Sequence, residues 1–285
     1  RSWSDNVFWS PDSKRLVAYR TRRGAGHTVH MVESSPQKQL QPKLHSHQYL
    51  KPGDEIPLTR PHLFDVSSGH EIPVSDKLFA NPWRVRELRW NTDGDRFTFR
   101  YNQRGHQVLR ICAVDAASGE VTALIDEVSE TFVDYAYKKY SHYLDESQEI
   151  IWMSERDGWN HLYLYDAQQG TVKQQITSGP WVVRGVERVD PESRTIWFRA
   201  SGIDPDQDPY YIHYCRIQFD SSGLVRLTRG GVPLLHSRSA RSHCEHQNGF
   251  VPSSCCATTS MRHCFCSATL SICSTRTCLR SVSLF

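Results

Sequence analysis

The sequence predicts an all-β fold: an incomplete β-propeller of about four four-stranded antiparallel blades, followed by an irregular C-terminal tail. A turn that begins with Asp and ends with Gly recurs at 65–69, 115–119, 166–170 and 220–223. Successive Asp residues are 50, 51 and 54 positions apart, a period typical of propeller blades. No long segment has a sustained helical period of apolar residues. A β-sandwich is the alternative, but its turns recur at roughly 8–12 residues.

Each repeat contains enough β-forming sequence for four strands. A strand-like run precedes each Asp-to-Gly turn, and a short polar-apolar run follows it. A second turn cluster lies upstream in each repeat, and a strand is predicted directly after it, at Leu16–Arg20, Arg96–Tyr101, Glu149–Ser154 and Thr195–Ala200. The blades are therefore predicted to end near residues 75, 127, 178 and 229, so that 1–230 forms the partial propeller.

The third repeat has the clearest strand pattern. The continuous apolar run Ile151–Met153 predicts a strand covered on both faces. Asp157 and Gly158 suit a tight hairpin, because both tolerate positive φ. Two Leu alternate with one His and two Tyr over 161–165, which predicts a strand between the core and a more polar neighbour. Six tryptophans lie in or beside strands and are predicted to pack between blades: Trp83, Trp90, Trp152, Trp159, Trp181 and Trp197.

Two segments depart from the repeat. The first blade carries an insertion at 33–60, rich in proline and polar residues, which predicts a loop that projects from the blade. Beyond about residue 231 the composition changes to Ser, Cys, Arg and Thr. The sequence has 27 Lys and Arg against 30 Asp and Glu up to Asp220, but seven Arg against Glu245 beyond it. Seven of the nine cysteines lie between Cys244 and Cys278.

Three interpretations of the 231–285 tail stay open: a metal-binding module, a disulfide-linked appendage, and a disordered or non-native segment. Zinc modules usually place paired cysteines two to four residues apart. Here one residue separates Cys264 from Cys266, and Cys255 directly precedes Cys256. The spacing favours the third interpretation.

Several functional classes lack their sequence signals. The slightly acidic body has no basic face for nucleic acid, and no apolar run approaches the roughly 20 residues of a membrane span. No G-x-S-x-G nucleophile elbow is present in the chain. The segment Gly24–Gly26 lacks the third glycine of a dinucleotide fingerprint and is interpreted as a hairpin turn. The sequence therefore predicts no cofactor.

Two histidine pairs are candidate metal ligands, and one charged turn is a candidate catalytic group. The pairs His27 with His30 and His45 with His47 each offer two ligands, but a metal site needs a third. We expect these histidines to face solvent or to form hydrogen bonds, and we predict no metal site. The charged turn 155–157 is interpreted as a local ion-paired turn rather than a catalytic group.

Four segments carry a resemblance to a known family: 8–16, 101–108, 151–166 and 181–186. Together they resemble the N-terminal β-propeller of dipeptidyl peptidase IV-like serine peptidases of the prolyl oligopeptidase clan, over about residues 9–228. The resemblance implies an eight-bladed propeller paired with an α/β-hydrolase domain. It also implies cleavage of dipeptides from peptide N-termini, often after proline, in proteins that are often secreted, periplasmic or membrane-anchored.

The resemblance also bears on the site residues. In the family a pair of glutamates binds the amino group of the substrate, and this motif would fall before Arg1. The catalytic serine, aspartate and histidine would follow the propeller, so we predict no catalytic residue here. The segment 131–137 corresponds to a stretch that approaches the substrate pocket, which makes Tyr135 and Tyr137 candidate substrate-channel contacts. The alternative is that both are packing or surface tyrosines.

The sequence therefore supports two alternative functions. The first is the propeller portion of a dipeptidyl peptidase IV-like enzyme, which lines part of the substrate chamber and has no turnover of its own. Its partners would be a peptide substrate, through the hydrolase domain of the parent enzyme, and other copies, through exposed blade edges. The second is a non-enzymatic β-propeller interaction module with a Cys-rich appendage.

Overall fold

Four antiparallel sheets of four strands each form the part of the chain that this computed structural model describes, residues 2–228. The first sheet has the order β1-β2-β5-β6, and a separate hairpin, β3–β4, lies between β2 and β5 in the chain. The bounds are β1 (Ser2–Trp9), β2 (Arg15–Arg22), β3 (Thr28–Glu33), β4 (Lys43–Gln48), β5 (Leu58–Asp65) and β6 (Glu71–Ile72).

The other three sheets are simple meanders in which each strand pairs with the next along the chain. The second contains β7 (Pro82–Trp90), β8 (Arg96–Gln103), β9 (Val108–Asp115) and β10 (Val121–Val128). The third contains β11 (Ser141–Leu144), β12 (Glu149–Ser154), β13 (His161–Asp166) and β14 (Val172–Gln175). The fourth contains β15 (Val182–Asp190), β16 (Thr195–Ser201), β17 (Ile212–Gln218) and β18 (Val225–Arg226).

This architecture confirms the predicted incomplete β-propeller. The only helical element among residues 2–228 is a 3₁₀ turn, Lys77–Phe79. No helix in that range is long and apolar enough to cross a membrane. The predictions for the 231–285 tail lie outside the described residues, so the division of the chain at 230 stays a prediction. The described residues all belong to one compact unit.

The two ends of the sheets differ in their connections. At the turn end, defined by the Asp-to-Gly turns at 65–69, 115–119, 166–170 and 220–223, the third strand of each sheet turns into the fourth. The opposite end is called the connection end. It holds the β3–β4 hairpin and the segments that join successive sheets, because every strand is antiparallel to its neighbours.

In all four Asp-to-Gly turns the aspartate carboxylate accepts from a backbone N–H shortly after it. In the second sheet, the Asp115 carboxylate accepts from the backbone N–H groups of Ala117 (3.0 Å) and Ser118 (2.7 Å). The N–H of Gly119 donates to the Asp115 carbonyl (2.9 Å). Hydrogen bonds from serine hydroxyls and backbone N–H groups lower the pKa of Asp65 (to about 2), Asp115 and Asp220, and backbone N–H groups alone lower that of Asp166.

Two of the turn glycines also contact the preceding sheet. Gly119 has φ +75°, and a Cβ atom there would lie 2.0 Å from the carbonyl oxygen of Pro73. A Cβ atom at Gly170 would lie 2.5 Å from the carbonyl oxygen of Leu124. Glycine is therefore required at these two positions both for the positive φ and for the close approach of the preceding sheet. At Gly69, which has a similar φ of +69°, a Cβ atom would meet nothing within 4 Å.

Apolar side chains fill the three spaces between successive sheets. Each space has its own cluster of buried residues, centred on Phe97 and Phe99, on Ile111 and Trp152, and on Phe198 and Ile217. Every residue of β12 is buried, as the apolar run predicted. In β13, His161–Tyr165 are all buried. Tyr163 and Tyr165 share a buried cluster with Leu109 and Ile111 of the second sheet, and the Arg156 guanidinium lies over both rings, which agrees with the predicted more polar neighbour.

Only some of the tryptophans pack between sheets. Trp152 and Trp181 are buried, and Trp90 is half-buried with its indole N–H donating to the Phe8 carbonyl (3.1 Å). Trp83 and Trp159 are 42% and 44% exposed, so for these two the prediction is wrong. Both lie at the connection end, where loops rather than neighbouring sheets surround them.

A buried carboxylate links the third and fourth sheets at the turn end. Glu149 is 2% exposed and accepts from Lys173 Nζ (2.5 Å) and Arg194 Nη1 (2.9 Å). Burial opposes its ionisation, but hydrogen bonds from Arg194, Lys173 and Ser147 outweigh it and lower the pKa of Glu149 to about 2. The carboxylate is therefore charged throughout the neutral range.

The insertion in the first sheet contains regular structure. Strand β4 lies inside the 33–60 segment, where the sequence predicted a loop, and pairs with β3 from Thr28↔Gln48 to Glu33↔Lys43. Its sequence, Lys-Leu-His-Ser-His-Gln, is mostly exposed and has no apolar face. A hydrophobic pattern therefore gives no sign of it.

Two free cysteines, Cys112 and Cys215, lie in the centres of the second and fourth sheets. Both are fully buried, and burial raises the pKa of each thiol to about 12. Neither thiol is therefore available as a nucleophile near neutral pH.

Candidate functional site

The connection between the second and third sheets, residues 129–140, forms the centre of the candidate site. It contains the predicted contacts Tyr135 and Tyr137, and it follows the outer strand β10. Its backbone is held to the turn between β8 and β9: Ser129 N donates to Gln107 O (2.9 Å), and Val133 N donates to His106 O (2.8 Å). The segment is thus attached to the second sheet before it enters the third.

The two predicted tyrosines have different surroundings. Tyr135 is half-buried and packs against the core between the second and third sheets. Tyr137 is 83% exposed. The Asp134 carboxylate accepts from the backbone N–H groups of Ala136 (3.1 Å) and Tyr137 (3.0 Å), which fixes the turn between the two tyrosines. Tyr135 is thus a packed ring and Tyr137 a surface ring, and their role as substrate-channel contacts stays a prediction.

Three aromatic rings gather around His106. Its imidazole stacks on the ring of Tyr135, with centroids 4.2 Å apart and planes at 24°. Trp83 and Phe132 approach the imidazole edge-on, with centroids at 5.4 Å and 5.9 Å. Since Trp83 and Phe132 are exposed, this cluster is an apolar surface at the connection end. His106 lies in the segment 101–108 that carries the family resemblance, but no motif marked it as a site residue, because its three ring partners are distant in the chain.

A cavity of about 240 Å³ lies beside this segment, between the second and third sheets. It combines apolar residues with carboxylates and cationic side chains. The lining residues are Leu109, Glu127, Val128, Ser129, Phe132, Val133, Asp134, Lys138, Met153, Ser154, Glu155 and Arg156. Phe132 belongs to both the aromatic cluster and the cavity, so the two features are continuous.

Glu127 organises the polar side of the cavity. Its carboxylate accepts from Trp152 Nε1 (3.1 Å), from the Ser154 hydroxyl (2.9 Å) and from Arg156. The Arg156 guanidinium lies over the rings of Tyr163 (4.6 Å) and Tyr165. Burial opposes the charge on Arg156, but Glu127 outweighs it and raises its pKa. Glu127 and Arg156 therefore form a fixed charged pair between the second and third sheets.

The charged turn 155–157 pairs with distant residues. Glu155 accepts from Lys138 Nζ (2.6 Å), and Asp157 accepts from Gln175 Nε2 (2.7 Å). The prediction of local ion pairing is therefore wrong for this turn. The partners come from other strands and connections, which sequence spacing does not reveal.

The cavity combines fixed charges with apolar surface. The Ser154 hydroxyl donates to Glu127 and accepts from the Arg156 N–H groups (3.1 and 3.0 Å), so it belongs to the charged network. Fixed charges beside apolar surface can orient a ligand that has both polar and apolar groups.

The histidines of the β3–β4 hairpin form hydrogen bonds. His27 Nδ1 lies 2.9 Å from Asp54 Oδ2, His30 Nδ1 lies 2.8 Å from Ser46 Oγ, and His45 Nε2 lies 2.9 Å from Glu33 Oε2. Over residues 2–228, the structure contains no group of three or more His, Cys, Asp or Glu side chains arranged to hold a metal ion.

Comparison with known proteins gives consistent matches. Dipeptidyl peptidase 4 of Arthroderma otae is 25% identical over 203 residues, which are 68% of this chain and 26% of that protein. Dipeptidyl peptidase 4 of Trichophyton rubrum is 23% identical with the same coverage. The crystal structure of Porphyromonas gingivalis dipeptidyl peptidase 4 superposes with a TM-score of 0.60 at 20% identity, covering 78% of this chain and 30% of that chain.

The chain thus spans about a quarter of the length of the curated relatives it matches. At this identity, the superposition on the Porphyromonas gingivalis structure supports the fold alone. The family model described as the dipeptidyl peptidase IV (DPP IV) N-terminal region matches residues 3–246. That match covers most of the sequence, and the chain belongs to the dipeptidyl peptidase IV N-terminal region family.

Proposed function

We propose that this chain forms part of the wall of the substrate chamber of a dipeptidyl peptidase IV-like serine peptidase, which removes N-terminal dipeptides, often X-Pro. The observation that carries the proposal is the cavity of about 240 Å³ beside Tyr135, at the connection end of a propeller of this family. The catalytic hydrolase domain would lie outside this chain. The missing G-x-S-x-G motif supports that part of the proposal.

The lining of the cavity suits a peptide. A peptide offers amide groups and an ammonium group together with apolar side chains, and binding sites for such ligands combine apolar surface with a few fixed polar groups. Here Phe132 and Met153 supply apolar surface, while Glu127, Glu155 and Arg156 supply fixed charge. Tyr135 would line the chamber behind Phe132, and the exposed Tyr137 would contact the peptide directly.

Site-specific photocrosslinking tests the location of the chamber wall. A photoreactive amino acid replaces Tyr137 at the connection end or, as the control, Gln169 at the turn end; both positions are exposed. The probe is a biotinylated Gly-Pro-containing peptide. We expect several-fold more labelling from position 137 than from position 169. Equal labelling from both positions would exclude a peptide surface at the connection end.

A separate assay tests the absence of catalysis. The purified chain is incubated with an X-Pro chromogenic substrate, and release of the chromophore is followed. We expect no release above buffer. Turnover that a serine-directed covalent inhibitor abolishes would show that this chain contains a catalytic serine and would disprove that part of the proposal.

We also propose that copies of the chain self-associate through the edge strand β1. Three large apolar residues of this strand are exposed: Trp3, Val7 and Trp9. An unpaired edge with apolar side chains favours pairing with another chain. Light scattering at increasing protein concentration should give a rising mass, and Trp9→Lys should reduce it. A constant monomeric mass would disprove self-association.

A further inference from the structure

The turn between β8 and β9 has an unusual residue at its tightest point. His106 has φ +60° and follows Gly105, which has φ +100°. Non-glycine residues with positive φ are uncommon, although His, Asn and Asp are enriched among them. Such conformations persist when surrounding contacts determine them. We therefore expect the contacts of the His106 side chain to hold this turn in its unusual conformation.

Those contacts connect three elements. His106 Nδ1 lies 3.0 Å from Oδ1 of Asn102, a buried residue of β8. Trp83, which approaches the ring edge-on, belongs to β7. Tyr135, which stacks on the ring at 4.2 Å, belongs to the connection after β10. The imidazole thus lies between the second sheet and the 129–135 segment.

The backbone of the same turn holds the same segment. His106 O accepts from Val133 N (2.8 Å), and Gln107 Nε2 donates to Glu130 O (2.8 Å). Within the segment, Tyr135 N donates to Val133 O (2.8 Å). Because the ring and the backbone of His106 both contact residues 133–135, a shift of this turn must displace Tyr135.

We propose that His106 is a positioning residue whose imidazole, stacked on Tyr135, holds the 129–135 segment in place and so sets where Phe132 and Val133 lie in the cavity wall. The consequence for peptide binding depends on the proposed function. The positioning itself does not, because it involves only contacts within this chain.

The proposal predicts that the attachment of the 129–135 segment to His106 depends on pH. Burial lowers the pKa of His106, so the stacked form favours the neutral ring. A detached segment would leave His106 near its ordinary pKa of about 6.5. As the pH falls below that value, the detached form therefore binds more protons, and the attachment weakens.

The other groups around the ring bear little charge. Its contacts on β7, on β8 and on the connection are Trp83, Asn102, Phe132 and Tyr135, of which Tyr135 alone is titratable. The charged residues nearest to His106 along the chain form hydrogen bonds with groups other than its ring. Arg104 Nη2 donates to Asp54 O (2.7 Å), the Asp134 carboxylate accepts from its own turn, and Glu130 contacts the β8–β9 turn through its carbonyl.

Hydrogen exchange of the whole chain without peptide tests the proposal, with the protection factors of the Val133 and Tyr135 amides as the readout. His106→Asn removes the ring but tolerates positive φ. We expect roughly two- to tenfold lower protection, since one aromatic pair is lost. His106→Phe keeps the stack, so we expect protection within about twofold of the wild type and no change between pH 7.5 and 5.5. The wild type should lose protection over that range.

Ser13→Asn is the matched control, because Ser13 also has positive φ (+59°) but lies in a turn at the opposite end of the first sheet. It should leave both amides unchanged. Unchanged protection in His106→Asn would overturn the proposal. Equal losses in His106→Asn and His106→Phe would assign the effect to the Asn102 contact and would also overturn it. If peptide labelling from position 137 fails while these results hold, the proposed function fails and the positioning role stands.

Discussion

The turn end of the sheets repeats one structure, whereas the connection end differs from sheet to sheet. Each Asp-to-Gly turn uses an aspartate that accepts hydrogen bonds from the residues after it. At the connection end, the first sheet has the β3–β4 hairpin, and the second and third sheets share the aromatic cluster and the cavity. At the turn end, two of the four turn glycines, Gly119 and Gly170, contact the preceding sheet directly.

The segments at the connection end differ in length and sequence from sheet to sheet. Binding residues are commonly found on such segments, supported by a rigid scaffold. The comparison predicts that substitutions at the turn end mainly change stability. Substitutions of exposed residues at the connection end should mainly change binding.

The largest expected effect is at Gly119. In Gly119→Ala the new Cβ atom meets the Pro73 carbonyl at 2.0 Å, and the residue must keep φ +75°. Backbone strain and overpacking together should lower the free energy of unfolding by about 3 kcal/mol. Gly69→Ala is the matched control, with φ +69° and open space around it, and should cost about 1 kcal/mol. Urea denaturation measures both. Equal losses would show that the contact between sheets is not what constrains the turn end.

The next effect is expected at Glu149, which links the third and fourth sheets. Glu149→Gln keeps the shape of the side chain but removes the charge that Lys173 and Arg194 share. Both cations are partly exposed and can regain water, so we expect a loss of about 2 kcal/mol at pH 7. A loss below about 0.5 kcal/mol, the size of an ordinary surface effect, would contradict a stabilising role for this network.

The same substitution has a defined pH dependence. The pKa of Glu149 is lowered to about 2 in the folded chain, below the ordinary value near 4.3 of the unfolded chain. The ionised carboxylate therefore contributes its stabilisation above about pH 5, and loses it as the pH falls toward 2. The difference in unfolding free energy between wild type and Glu149→Gln should shrink over that range. A difference that stays constant from pH 6 to pH 3 would assign it to something other than ionisation.

The smallest effects concern the two tyrosines at the connection end. Tyr135→Ala removes the stack on His106 and partly buried surface, and should cost about 1–2 kcal/mol. Tyr137→Ala removes a ring that is 83% exposed, and should change stability by less than about 0.5 kcal/mol. Thermal melts of the two variants compare them directly. A larger loss for Tyr137→Ala would show that the connection end also has a structural role at its surface.

The sequence was sufficient to predict the repeated sheets, because the Asp-to-Gly turn chemistry is local. It did not reveal that Gly119 contacts Pro73, since that contact joins two blades. The sequence also did not reveal β4. This strand pairs with β3 in an exposed hairpin and therefore has no apolar pattern. The tryptophans show the same limit: Trp83 and Trp152 have similar strand contexts, but Trp152 is buried between the second and third sheets, whereas Trp83 is 42% exposed.

The candidate site was predicted less completely than the fold. Tyr135 and Tyr137 were indicated by family resemblance alone, and the structure separates them into a packed ring and an exposed ring. Glu127 had no sequence signal, and His106, although it lies in the resembling segment 101–108, was not marked as a site residue. Each acts through partners from other strands, and spacing along the chain does not encode such distances. Only residues whose partners lie within a few positions, such as Asp134, are accessible to sequence reasoning.

The buried thiols of Cys112 and Cys215 can be used to measure how often the second and the fourth sheet open. Neither can react with an alkylating reagent until its surroundings separate, because both are inaccessible and protonated. The rate of modification at each position, followed by peptide mass mapping, would therefore report how often its own sheet opens. One reporter belongs to the second sheet and the other to the fourth. Residues 2–228 thus carry two natural probes that distinguish local opening from complete unfolding.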